Sequence, residues 1–291
     1  MEKVSPKVLI LGATGMLGHV LYHTLKTTTD YEVVDLVFRH KLHEHSIVCD
    51  VTDKVKLAEV IRSCNPDIIV NAIGVLIKGS TDHPANAIYI NSYLPHYVSE
   101  LAASVGAYLI HVSTDCVFSG AKGRYLESDF RDADDVYGRS KALGELNNTR
   151  DLTIRTSIIG PEIKPMGEGL LHWFLKQEGT INGFTKAFWG GVTTLELSKA
   201  IVCAIQQDIK GLIHLTNGIP ISKLEMLTLF KAIFGREQLT ISAVAGKQVD
   251  KSLKTMRQDF HYEVPSYEQM FTDLHENMLL NNSLYTPNYR F

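Results

Sequence analysis

Val8-Leu9-Ile10-Leu11-Gly12-Ala13-Thr14-Gly15-Met16-Leu17-Gly18 sets four apolar residues directly before three glycines spaced three apart, and helical periodicity follows to Lys26. An apolar run this short, ending in a glycine turn, is a buried strand that feeds a helix. Such a turn needs glycine where backbone must approach a phosphate and where the helix must lie close to the strand. The helix start then offers free amides and the positive end of its dipole. Gly12, Thr14, Gly15, Met16, Leu17 and Gly18 are therefore candidates to cradle a dinucleotide diphosphate.

Outward from this turn, short apolar runs at residues 31–38, 67–72, 108–113 and 152–156 alternate with helical spacing over 55–64, 91–105 and 137–147. Continuous apolar strands between helices predict βαβ units, so the fold class is α/β, a Rossmann-like doubly wound parallel sheet. Residues 157–191 hold Pro161, Pro165 and seven glycines and predict an irregular segment around a short helix near 170–176. Helices are expected over 195–207 and 222–234, the latter with Ser222 and Glu225 in capping-box spacing, and a short strand over 212–215. Residues 248–291 are polar and predict one late helix (266–279) and a loose tail. The expected division is a dinucleotide-binding domain from residues 1–156 and 192–217, and a smaller, discontinuous substrate-binding lobe from 157–191 and 218–291.

Composition narrows the class. The 291 residues carry a formal net charge of −3, with a pI near 6.5, which argues against nucleic acid or an anionic membrane as the main partner. Cys49, Cys64, Cys116 and Cys203 are scattered, which fits reduced thiols in a cytoplasmic protein. The apolar stretch 68–77 is interrupted by Asn71 and Gly74 and is too short to span a bilayer. His40, His43 and His45 lack an acid or cysteine at ligand spacing, so no metal is expected. His111 reads as a core residue, and Asp129, Asp132, Asp134 and Asp135 as a solvated loop.

Tyr137-Gly138-Arg139-Ser140-Lys141 carries the chemistry, with Ser113-Thr114 upstream at a strand end. Tyr and Lys four apart share a helix face. A free phenol has a pKa of about 10, and a neighbouring cation lowers it toward the range useful for proton transfer. A hydroxyl at the carboxyl end of a sheet strand, where α/β sites form, is placed to hold a substrate carbonyl.

The glycine spacing and these motifs together resemble the extended short-chain dehydrogenase/reductase family. Asn71-Ala72-Ile73-Gly74 is similar to its Asn-Ala-Ala-Gly element, and Asp50-Val51 stands where that family contacts adenine. Val112-Ser113-Thr114-Asp115-Cys116-Val117-Phe118-Ser119-Gly120, Tyr125-Leu126-Glu127-Ser128-Asp129 and Tyr137 to Glu145 resemble signatures of the dTDP-4-dehydrorhamnose reductases. The resemblance covers residues 7–160 well and 185–275 loosely. It implies catalytic roles for Thr114, Tyr137 and Lys141, a structural and proton-relay role for Asn91, and cofactor contacts from Asn71, Ala72, Ile73, Gly74, Ser113, Tyr137 and Lys141. Lys78, Thr114 and Trp189 are the expected substrate-facing residues. Cys116 stands in place of a tyrosine, Ile158-Ile159 in place of a sugar-contacting aromatic, and the loop 75–84 lacks the usual acids.

For the cofactor, Asp35 sits inside the second strand, whereas Arg39-His40-Lys41 follows its end, where a 2′-phosphate would lie. NADP(H) is expected ahead of NAD(H). The resulting expectation is an NADPH-dependent reductase of a nucleotide-activated 4-keto-6-deoxy sugar. Three alternatives stay open: a sugar-nucleotide epimerase or a dehydratase on the same scaffold, and a non-catalytic NADP-binding regulatory subunit like that of methionine adenosyltransferase. Asp115-Cys116 weighs against the dehydratase, which commonly carries Asp-Glu after the threonine. A homodimer is left open as well.

Overall fold

The computed structural model describes residues 5–286, 288 and 289. Seven parallel strands form the central sheet: β1 (Lys7–Leu11), β2 (Glu32–Val37), β3 (Ile47–Val48), β4 (Ile68–Asn71), β5 (Tyr108–Thr114), β6 (Leu152–Thr156) and β7 (Gly211–His214). Their order is β3-β2-β1-β4-β5-β6-β7, so the winding reverses between β1 and β4. A crevice opens there at the carboxyl ends of the strands, as in other doubly wound sheets.

Both sheet faces are apolar, which is why β1 reads as a continuous run and not as an alternation. Val8, Ile10 and Val70 face helices Gly18–Thr28 and Thr194–Gln206, while Leu9, Leu11 and Ile69 face Lys54–Cys64 and Leu94–Ser104. The register pairs Leu11 with Asn71 and Asn71 with His111, so β1 and β4 end level beside the glycine turn while β5 runs on to Thr114. Phe174, Phe230 and Phe271, from the segments assigned to the smaller lobe, join the same apolar cluster as Ile10 and Val70. Among the described residues, no helix is long and apolar enough to cross a membrane.

Several elements differ from expectation. Thr180–Phe184 is a strand paired in parallel with Thr240–Val244. Asn182-Gly183 in its middle has turn chemistry, so only the tertiary pairing reveals it. The helix expected over 137–147 runs Val136–Leu143, and beyond it Glu145 turns inward onto Ser113 and Arg155. A π-helix, Ile88–Tyr93, precedes Leu94–Ser104. The tail is not loose where it is described: Asn282–Tyr285 is a helical turn, and the Tyr285 and Tyr289 rings are buried against His19 and His172. The rest of that expectation, at residues 287, 290 and 291, lies outside the described residues.

Candidate active site

The first wall of the crevice is the glycine turn. Gly12 holds φ at +89°, a left-handed conformation, and a Cβ on Gly18 would come within 2.3 Å of the Gly12 carbonyl oxygen. The Gly12 and Ala13 amides donate to the Leu36 carbonyl at 2.9 and 3.1 Å, which folds the turn over the end of β2. A turn this bare, at the start of a helix, fits the diphosphate of a dinucleotide. Asn71, fully buried at the end of β4, accepts from the Ile73 amide at 3.1 Å and donates to His111 Nδ1 at 3.2 Å. It thereby shapes the Ala72-Ile73-Gly74 turn beside the first wall.

The helix Val136–Leu143 supplies the opposite wall. Asp135 caps it by accepting from the Gly138 amide at 2.8 Å. Asn91, in the π-helical turn, accepts from the Val75 amide and donates to the Val75 carbonyl, each at 2.9 Å, and donates to Ser140 Oγ at 3.1 Å. Ser92 adds a bond to the Ser140 carbonyl at 2.8 Å. The extra residue per π turn thus ties the loop after β4 to the helix that carries Tyr137 and Lys141.

Between these walls lies a cleft of about 430 Å³ lined by Thr14, Gly15, Met16, Leu17, Ala72, Ile73, Gly74, Ser113, Thr114, Tyr137 and Lys141. The three residues expected to act on a carbonyl meet in it. Thr114 Oγ1 donates to Asp115 at 3.1 Å and accepts from the Cys116 amide at 3.1 Å, which fixes the hydroxyl at the end of β5. Lys141 Nζ donates to the Val112 carbonyl at 2.7 Å. A more open hollow around residues 27–31 offers threonine hydroxyls and Asp30 but no acid–base pair.

Electrostatics correct one expectation. Burial pushes the Tyr137 phenol well above its usual value, with Cys116 and Asp115 adding to the rise and the Thr114 hydroxyl opposing it. The net shift is up, not down, so the phenol is held protonated, the state a proton donor needs. Lys141 is lowered to about 8, because burial penalises the ammonium more than Glu145 restores it. Burial raises the Glu145 carboxyl, but hydrogen bonds from Arg155 outweigh that and hold it below its usual range. Arg155 grips it through Nε at 2.7 Å and Nη2 at 2.6 Å, and Ser113 donates to it at 2.7 Å. Arg155 in turn meets His214 Nε2 at 2.7 Å.

Other expected residues are placed outside the cleft wall. Asp35 is mid-strand, buried and faced by His43 Nε2 at 2.8 Å, so it is covered. Arg39 and His40 are exposed past β2, Arg39 lies over the Phe38 ring at 4.4 Å, and Lys41 donates to the Glu44 carbonyl. Asp50 is exposed and caps Thr52, and Val51 is buried beside it. Lys78 does not line the cleft: it sits on helix Ile77–Asp82, exposed and paired with Asp82. Trp189 does not line it either. Its ring is 4% exposed and packs on Tyr267 and Phe271, which makes it core.

Leu76 and Ile77, from the loop 75–84 compared above with the reductases, line the cleft, and the sequence reading missed Ser157, Glu162, Lys164 and Glu168, which line it too. They fall in segments with no helical or strand period to mark them. Glu145 was within reach, standing one helical turn past Lys141.

A doubly wound parallel sheet with Thr114, Tyr137 and Lys141 lining one cleft with the glycine turn places the protein in the extended short-chain dehydrogenase/reductase class. A family model described as RmlD substrate binding domain matches residues 6–258, and the chain belongs to that family. It is 35% identical over 141 residues to a dTDP-4-dehydrorhamnose reductase of Aggregatibacter actinomycetemcomitans, a match spanning 48% of this chain and 45% of that relative. The chain thus aligns with about half the length of that relative. It is 25% identical over 265 residues to methionine adenosyltransferase 2 subunit beta of Bos taurus, covering 83% of this chain and 78% of the relative. The solved dTDP-4-dehydrorhamnose reductase of Bacillus anthracis, in complex with NADP, has the same fold, with a TM-score of 0.79 at 22% identity over 94% of this chain and 99% of that one.

Proposed function

We propose that the protein is an NADPH-dependent reductase of a nucleotide-activated 4-keto-6-deoxy sugar. The observation that carries this reading is the meeting of Thr114, Tyr137 and Lys141 in one cleft beside the glycine turn. NADPH held at the glycine turn would supply the hydride that the ketone carbon takes up. The Thr114 hydroxyl would turn its single hydrogen from Asp115 to the ketone oxygen and orient the carbonyl for attack. Tyr137 gives its proton to that oxygen as the new C–H bond forms, and burial keeps the phenol protonated until then. Lys141 faces the phenolate that is left, holds the nicotinamide ribose, and Asn91 joins the path that returns a proton. Gly12, Thr14, Gly15 and the amides that follow hold the diphosphate, while Arg39, His40 and Lys41 hold the 2′-phosphate. Residues 157–191 and 218–291 form the lobe that closes over the sugar.

NADPH oxidation with a panel of 4-keto-6-deoxy sugar nucleotides tests this reading. Tyr137→Phe should lower turnover by about 10²–10⁴-fold with the fold intact; equal turnover by the two proteins removes the tyrosine from the mechanism. A second reading, a regulatory subunit, is supported by similarity to the methionine adenosyltransferase subunit over 83% of the chain. Stoichiometric capture of an adenosyltransferase with no ketone reduction would favour it.

A further inference from the structure

His19 lies in the first turn of helix Gly18–Thr28 and is fully buried. Its Nδ1 is 2.7 Å from the Gly15 carbonyl, and its Nε2 is 3.0 Å from the hydroxyl of Tyr285, a residue 266 positions further along the chain. A carbonyl can only accept, so Nδ1 carries the hydrogen. Nε2 is then bare and accepts from the phenol. Burial lowers this imidazole to about 4, so it stays neutral and the assignment holds across the working range of pH.

The backbone bond that would otherwise close this turn, from the His19 amide to the Gly15 carbonyl, is long at 3.4 Å. The side-chain bond is the shorter one, so the imidazole sets the direction of that carbonyl. The peptide from Gly15 to Met16 is planar and trans, which turns the Met16 N–H away from the pinned oxygen. Gly15, Met16 and Leu17 all line the cleft.

We propose that His19 and Tyr285 are positioning residues for the dinucleotide diphosphate. Tyr285 fixes the imidazole tautomer, His19 pins the Gly15 carbonyl, and the Met16 amide is thereby aimed at the anion. The same C-terminal segment braces the cleft rim. Asn288 Nδ2 donates to the Glu162 carbonyl at 2.9 Å, the Glu162 amide donates to the Tyr289 hydroxyl at 2.9 Å, and the Glu162 carboxylate accepts from the Gly169 amide at 2.6 Å. Two tyrosines near the end of the chain thus support both the glycine turn and the rim beside it. The inference rests on the turn holding NADPH and is independent of the sugar.

Equilibrium binding of NADPH to the full chain, followed by nicotinamide fluorescence, tests it. Tyr285→Phe keeps the ring against His19 and loses only the hydroxyl. Its Kd for NADPH should rise about three- to tenfold, the worth of one buried hydrogen bond. The loss should fall on KM for NADPH and not on kcat, a split that a general loss of folded protein would not produce. His19→Asn retains an N–H donor near the Nδ1 position and should bind within about twofold of wild type, whereas His19→Leu should bind roughly tenfold more weakly. If His19→Leu fails to fold, Tyr285→Phe and His19→Asn decide the matter. Wild-type affinity in Tyr285→Phe, or equal weakening in His19→Asn and His19→Leu, overturns the proposal. A wild type that binds no NADPH overturns it along with the cofactor assignment. A wild type that binds NADPH but reduces no nucleotide sugar overturns the substrate assignment alone.

Discussion

Lys141→Met separates what the lysine does for chemistry from what it costs the fold. Burial lowers the ammonium from 10.5 to about 8, with Glu145 opposing. At about 1.4 kcal/mol per pH unit, holding that charge at neutral pH costs the folded protein about 3 kcal/mol. The folded pKa is depressed, so between about pH 8 and 10.5 the unfolded chain keeps a proton that the folded protein has released. Wild-type stability therefore gains from this group as pH rises through that window, and the full penalty applies below it. Methionine fills a similar volume without charge but leaves the Val112 carbonyl without its donor at 2.7 Å, a loss of about 1 kcal/mol. The variant should be about 2 kcal/mol more stable than wild type at neutral pH and inactive as a reductase. Its advantage should shrink by roughly 1.4 kcal/mol per unit above about pH 8. Urea unfolding of both proteins between pH 7 and 9.5, with linear extrapolation, measures the difference. A difference that stays flat over that range, or a variant less stable at pH 7, refutes the argument.

Glu145→Gln leaves Arg155 buried beside a neutral partner and should cost about 3–5 kcal/mol in urea unfolding. Because Glu145 supports the charge on Lys141, the alkaline fall of kcat/KM in that variant should also move to lower pH, and an unmoved profile would uncouple the two residues. Arg39→Ala should weaken NADPH about tenfold and leave NADH unchanged, by titration of both cofactors; equal weakening of both would take Arg39 off the 2′-phosphate. His19 and His214 are each lowered by burial to about 4, so the unfolded chain binds more protons from pH 6.5 down to that value. Stability should fall with acid by about 2 kcal/mol per ring at pH 5, and equal unfolding midpoints at pH 5 and 7 would contradict this.

The glycine turn, the buried strands and the Tyr137–Lys141 pair were legible because spacing within one element encodes them. Burial across elements was not. Trp189 stands beside Gly190-Gly191, which suggests an open loop, yet Tyr267 and Phe271, nearly eighty residues later, close over its ring. Lys78 follows the cleft residues Leu76 and Ile77 in sequence, but its position on a short helix turns it to solvent and Asp82. His19 looked like one more residue of a helix start, and its role depends on a tyrosine at the far end of the chain. The rise in the Tyr137 pKa had the same origin. A cation four residues away sets the direction in isolation, but desolvation by the assembled cleft is the larger effect.

The buried charges behind the cleft form one connected column, and that arrangement bears on where specificity resides. Lys141 is supported by Glu145, Glu145 is gripped by Arg155, Arg155 meets His214, and His214 Nδ1 donates to the Lys254 carbonyl at 2.8 Å. Removing Glu145 or Arg155 strands the other in a low-dielectric setting, so the centre of the column tolerates little change. The apolar part of the rim has no such constraint. Leu76, Ile77, Cys116 and Ile158 line the cleft with apolar or weakly polar groups that can be exchanged without leaving a charge unpaired. Under the proposed function, proton chemistry is therefore governed by the column, while the shape offered to a sugar is set by the apolar rim. Exchanging Ile158 for an aromatic should change which nucleotide sugar is reduced, and leave the pH profile set by Lys141 in place. A shifted profile in that variant would show that rim and column are not separable.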